Sequence, residues 1–165
     1  MFPFGSVTPG VPRWSPDGQR LVLDINDNGR SDIYVLEIGN SSLVKVSTRP
    51  SAFTADRSPD GQTIVFSAMD EQGEIPQIYA VDAEGKNERK LTTSLIQKGS
   101  PRWSLDGSLI SYSGSLLVPV VSALPALSHI QAVWVASADG TNESPVTDIT
   151  LDALPLAWCP HGPWL

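Results

Sequence analysis

Apolar and polar positions alternate over short runs along this chain, and no segment shows the 3.6-residue period of a helix. Three runs read as strands: Arg20-Leu21-Val22-Leu23-Asp24, Thr63-Ile64-Val65-Phe66-Ser67 and Ser108-Leu109-Ile110-Ser111-Tyr112. Each is followed by a second run, namely Asp32-Ile33-Tyr34-Val35-Leu36, Gln77-Ile78-Tyr79-Ala80-Val81 and Ala132-Val133-Trp134-Val135-Ala136. Shorter segments then follow over 42–46, 88–92 and 143–147. β-Branched and aromatic residues bounded by Gly, Pro and Asp mark all of these as β-strands.

A further short strand precedes each set and ends at a repeated turn. The turn is Ser15-Pro16-Asp17-Gly18, then Ser58-Pro59-Asp60-Gly61, then Ser104-Leu105-Asp106-Gly107. A damaged fourth copy is Cys159-Pro160-His161-Gly162. From Ser15 to Ser58, Ser104 and Cys159 the steps are 43, 46 and 55 residues. Four antiparallel strands recurring at about 40–50 residues describe a β-propeller blade. The expected fold is all-β: an incomplete propeller of three four-stranded blades plus the first strand of a fourth. The whole chain, 1–165, then forms one domain, with blades near 11–50, 51–97 and 98–150 and a partial blade over 151–165.

Charge and composition narrow the partners. The net charge is −7 and the pI about 4.6, so the clustered Lys and Arg of a phosphate-binding surface are not expected, nor is nucleic acid. One cysteine, Cys159, allows no internal disulfide. The N-terminus lacks the basic and apolar regions of a signal peptide. The most apolar stretch, 116–130, is too short and too broken by Pro, Ser and His to span a bilayer.

The segment Pro12-Arg13-Trp14-Ser15-Pro16-Asp17-Gly18, with Gly29, Ile33-Tyr34, Gly73, Ile78-Tyr79, Asp82 and Leu91-Thr92, resembles the TolB-type PD-repeat, a relative of the WD-repeat propellers. The likeness runs from about residue 11 to 165. Departures are Arg57 for Trp, Leu105 for Pro, and Cys159 and His161 for Ser and Asp. The resemblance implies a non-enzymatic module that binds a protein partner through its blade loops. It also implies a cell-envelope, periplasmic setting, where TolB proteins bind a peptidoglycan-associated lipoprotein. TolB propellers have six blades, and related peptidase propellers seven or eight. Three blades therefore imply a fragment, a truncated reading frame, or a half-propeller that self-associates to complete a ring. The alternative function is a detached part of the regulatory propeller of a prolyl-oligopeptidase-type serine peptidase.

Several residues invite chemistry. Asp24, Asn26, Asn28 and Asp32 match the first half of a calcium loop, but position twelve is Val35 where Glu is needed; a polar hairpin is the competing reading. Asp17, Asp60 and Asp106, each beside Gly18, Gly61 or Gly107, are expected to bond the turn backbone. His129 and His161 stand in no nucleophile-elbow context, so no catalytic residue, cofactor or resident metal is expected. Trp14, Tyr34, Tyr79, Trp103, Trp134 and Trp158 fall at equivalent strand positions; packing between blades competes with an aromatic binding rim. The third repeat carries about ten extra residues within 113–128 relative to the others. That apolar insertion reads as a docking loop, as a cover for an exposed edge, or as degraded sequence.

Overall fold

A computed structural model describes residues 7–73, 75–94, 96–116, 130–147 and Trp158. Every regular element among them is a strand, so no helix there is long and apolar enough to cross a membrane. The first sheet contains β1 (Val7–Pro9), β2 (Arg13–Trp14), β3 (Arg20–Asp27), β4 (Arg30–Glu37) and β5 (Ser42–Lys45). β1 and β2 are two pieces of one edge strand, both paired with β3. The second sheet runs β6 (Ala52–Arg57), β7 (Thr63–Met69), β8 (Pro76–Asp82) and β9 (Arg89–Lys90). The third runs β10 (Gln97–Trp103), β11 (Leu109–Leu116), β12 (Ile130–Ser137) and β13 (Ser144–Pro145). All neighbouring strands are antiparallel, and the three sheets do not close on one another.

The sheets stack as blades, with the first strand of each toward the common side, where β6 touches both β3 and β10. One apolar cluster joins blades one and two through Val22, Ile33, Val35 and Val46 against Ile64, Phe66, Tyr79 and Val81. A second joins blades two and three through Val65, Ile78, Ala80 and Leu91 against Trp103, Ile110, Tyr112 and Ala136. Neighbours in β7 and β8 thus enter opposite clusters. The two-residue side-chain period sends alternate residues to opposite faces, and among the described residues only the middle blade has a blade packed on each face.

Two boundaries differ from the sequence reading. The first strand of blade one begins at Val7 rather than Val11, and it is interrupted between Pro9 and Arg13. The fourth strands are short because a hydroxyl replaces the ladder at their ends. Ser47, Thr92 and Thr147 accept the backbone N–H of Ile33, Ile78 and Val133 at 2.9, 3.0 and 3.0 Å. That is the structural use of the Leu-Thr pair in the repeat.

Candidate interaction surface

The Ser-Pro-Asp-Gly turns are built identically. In the first, Gly18 donates its N–H to Ser15 O at 2.9 Å, and Gly18 has a φ of 68°. Ser15 donates its hydroxyl to Asp17 Oδ1 at 2.5 Å, and the same oxygen accepts the Gln19 N–H at 3.0 Å. Asp60 accepts from Ser58 and Gln62, and Asp106 from Ser104 and Ser108, in the same manner. These bonds stabilise the ionised carboxylates. Asp17 and Asp60 lie below the usual carboxylate range, and Asp106, held mainly by the Ser104 hydroxyl and then by Ser108, falls to about 2. The three acids stay on separate blades, each engaged with its own turn.

The turn's proline faces the next blade. Pro16 lies where a side chain on Gly61 would touch it, at 3.6 Å, and Pro59 stands likewise to Gly107, at 3.7 Å. Beside each contact the following blade inserts the residue before its turn serine. Trp103 enters blade two and is 9% exposed; Arg57, in the same repeat position, is buried against blade one and donates Nε–H to Gly61 O at 2.9 Å. Trp14 departs from the packing expectation: it is 61% exposed, because no blade precedes it among the described residues. Tyr34 is half-buried for the same reason, whereas Tyr79 is fully buried. Trp134 packs against the second cluster, and a side chain on Gly114 would meet its ring at 2.5 Å. The Trp158 indole donates to Arg102 O at 3.2 Å.

On the common side each first strand is bent. Register shifts fall between Phe53 and Asp56 and between Gly99 and Arg102, with Thr54 and Ser100 at φ of 49° and 53°. These bulges aim backbone N–H groups along the stack. Thr54 N–H reaches Asp24 Oδ1 at 3.2 Å, and Ser100 N–H reaches Thr54 Oγ1 at 3.3 Å. Two residues on, Arg13, Asp56 and Arg102 hold equivalent positions on the three blades and alternate in charge. Asp56 accepts the Trp103 N–H at 2.9 Å. Desolvation pushes its pKa up, against the opposing effects of that bond and of the Arg102 and Arg13 charges. Nε of Arg13 and of Arg102 is buried without a partner, so this row keeps unused donors.

The calcium-loop residues are sent to separate tasks. Asp24 serves Thr54, Asn26 bonds Gly29 N–H and Ser31, and Asn28 donates to Asp27. Asp32 pairs with Lys45 at 2.8 Å. Asn28 and Gly29, at φ of 52° and 86° between the paired Asp27 and Arg30, form a two-residue hairpin turn of the kind favoured by strand twist. No group of three or more His, Cys, Asp or Glu able to hold a metal gathers among the described residues. His129, His161 and Cys159 lie outside those residues, as does most of the insertion; its start, Ser113–Leu116, extends β11 to pair with β12.

Sequence reasoning missed a pair of carboxylates. Glu88 accepts Thr48 N–H at 2.8 Å, Thr48 Oγ1–H at 2.7 Å and Arg49 Nε–H at 3.1 Å, all from the link between blades one and two. Glu143 accepts from Ser94, in the link between blades two and three, and from the ammonium of Lys98 in β10, each at 2.9 Å. Both lie nine residues after the aromatic of the blade's third strand, Tyr79 or Trp134. That common offset was the available signal.

Stacked four-stranded blades with repeated turn corners define a β-propeller repeat protein. The family model for the TolB beta propeller domain matches residues 5–162, and the chain belongs to that family. It is 27% identical over 92 residues to the Tol-Pal system protein TolB of Anaeromyxobacter dehalogenans, covering 56% of this chain and 21% of that protein. It is 33% identical over 112 residues to the uncharacterized peptidase YuxL of Bacillus subtilis, covering 64% of this chain and 17% of that one. A TolB-type structure from Agrobacterium tumefaciens superposes with a TM-score of 0.66 at 21% identity, over 81% of this chain and 47% of the other. The chain thus spans about a fifth of the curated relatives it matches.

Proposed function

We propose that this chain is a non-enzymatic module that binds a protein partner on a rigid platform of blade loops and inner strands. The observation that carries this reading is the Arg13–Asp56–Arg102 row, with its unused buried donors, mounted on sheets locked by two apolar clusters. A rigid surface with alternating charge selects partners by complementarity and loses little entropy on binding. Membership of the TolB propeller family supports a protein ligand and a cell-envelope, periplasmic setting. The net charge of −7 argues against nucleic acid. The test is affinity capture from an envelope extract, with Arg102→Glu as the comparison. A protein retained by the folded wild type and released by the variant supports the reading; no protein above background refutes it.

The likeness to a peptidase relative favours a second reading, a piece of a peptidase's regulatory propeller. Genomic sequence decides it: a downstream hydrolase frame with a Gly-x-Ser-x-Gly elbow supports this reading, and its absence removes it.

A further inference from the structure

The groove between neighbouring turn corners is built twice from equivalent positions, and the two copies differ in charge. Between blades one and two it encloses about 180 Å³ and is lined by Asp17, Asp60, Glu84, Arg20 and Arg57. Between blades two and three it encloses about 390 Å³, and the equivalent positions hold Asp60, Asp106, Asp139, Thr63 and Trp103. Asp60 thus borders both. In the first groove the chain supplies its own guanidinium. Arg57 is 8% exposed and donates Nε–H to Gly61 O at 2.9 Å. Together with Arg20, which is also bridged to Glu37 at 2.8 Å, its charge favours the ionised Asp17. The second groove has neither cation at these positions. Trp103 joins the apolar cluster instead, and Arg89 is the one cation among the described lining residues.

We infer that the groove between blades two and three is a binding site for an arginine side chain of another protein, seated where Arg57 sits one blade earlier. Three carboxylates stand there against one cation, so the lining attracts positive charge. The turn bonds of Asp60 and Asp139 all go to Oδ1, so neither turn needs Oδ2. The acids do not gather closely enough to hold a metal ion. A guanidinium suits that spacing, because its planar fork spreads the charge over several donors and serves carboxylates that stand apart. Gly107 also lines the groove, and its carbonyl corresponds to the Gly61 carbonyl that Arg57 bonds. Trp103 adds a separate requirement: it lines the groove at 9% exposure, and its Nε1–H is buried without a partner. An unpaired buried donor is costly, and the backbone carbonyl of the incoming arginine residue is an acceptor for it. Both walls are complete four-stranded blades, so the site owes nothing to where the chain begins or ends. It rests on the corner residues and stands without the partner-binding reading of the Arg13–Asp56–Arg102 row.

The experiment is an amide and indole N–H NMR titration of the full chain at low ionic strength, with spectral dispersion reporting the fold of each sample. The probe is the capped peptide acetyl-Gly-Arg-Gly-amide, and the same peptide with citrulline for arginine is its neutral isostere. Saturable shifts of the Trp103 indole N–H and of the Asp106 and Asp139 amides are expected with the arginine peptide and not with the citrulline one. Thr63→Arg, which copies blade one, sets a competing cation at the groove. Asp139→Asn removes one charge while keeping an acceptor for the Thr141 N–H. Each is expected to weaken binding by about tenfold, as loss of a charge-assisted contact does. An arginine peptide that gives no saturable shift at Trp103 overturns the proposal. So do equal binding of the citrulline peptide, the same shifts produced by calcium ion, or wild-type affinity in both variants. Peptide binding without any protein captured from the envelope extract upholds this site and refutes only the earlier reading. Capture that persists without peptide binding does the reverse.

Discussion

Trp103 and Trp14 occupy one position of the repeat, yet Trp103 is 9% exposed and Trp14 is 61% exposed. The difference lies in the neighbour: Trp103 enters the apolar cluster it shares with blade two, and Trp14 faces solvent. Identical local sequence, Pro-Arg-Trp-Ser, thus has two energetic meanings.

Truncating Trp103 to Ala removes a buried indole from a packed interface and leaves a cavity. A loss of about 3–5 kcal/mol is expected on unfolding by denaturant. Trp14→Ala, at the open face, is expected to change stability by no more than about 0.5 kcal/mol when monomer is measured.

Acid should unfold the protein partly through the turn carboxylates. Asp106 is held at about 2, below its ordinary 3.8, so its stabilising effect is complete above the ordinary value and is lost as pH falls through about 2. Asp17 and Asp60 shift in the same direction. Melting temperature followed from pH 5 downward should fall over the window from 3.8 to about 2, and Asp106→Asn should flatten the Asp106 part of that fall.

Glu143→Gln leaves the Lys98 ammonium, whose side chain is fully buried, without its counter-charge. Removing one partner of a buried pair costs about 3 kcal/mol. The equivalent Glu88→Gln acts on the more open Arg49 and is expected to cost about 1 kcal/mol or less. Denaturant titrations of the two variants side by side read this difference directly.

Gly140→Ala sets a side chain against the Leu91 carbonyl at a φ of 89°. A destabilisation of about 3 kcal/mol is expected from the strained backbone conformation and the forced shift of β9. Gly39→Ala, with open space around it, serves as the control and should leave the melting temperature close to wild type.

The turns were legible in the sequence because their bonds are local. Ser15, Asp17 and Gly18 satisfy one another within four residues, and the Asn28-Gly29 hairpin needs only its own positive φ values. The alternation in Thr63–Met69 likewise announces a strand, since a two-residue period follows from pleat geometry alone. The Glu88 and Glu143 contacts were hidden because their partners lie 39 to 49 residues away along the chain, and a charged residue in a strand connection resembles any solvated one. The partner of Asp24 was hidden for a related reason. Asp24 lies in a calcium-like string, yet its oxygen is taken by Thr54, 30 residues away.

By itself, then, the sequence determined the unit and its count: short alternating strands, a repeated Ser-Pro-Asp-Gly corner, three full copies and the start of a fourth. Those follow from period, turn chemistry and spacing, which are properties of neighbours along the chain. Only the tertiary structure decided which copies of an equivalent residue are covered. Val46 and Leu91 are buried and Val146 is 45% exposed because, among the described residues, a full blade follows the first and the second but not the third. Burial is a property of neighbours in space, and equivalent positions in a repeat differ in function wherever those neighbours differ.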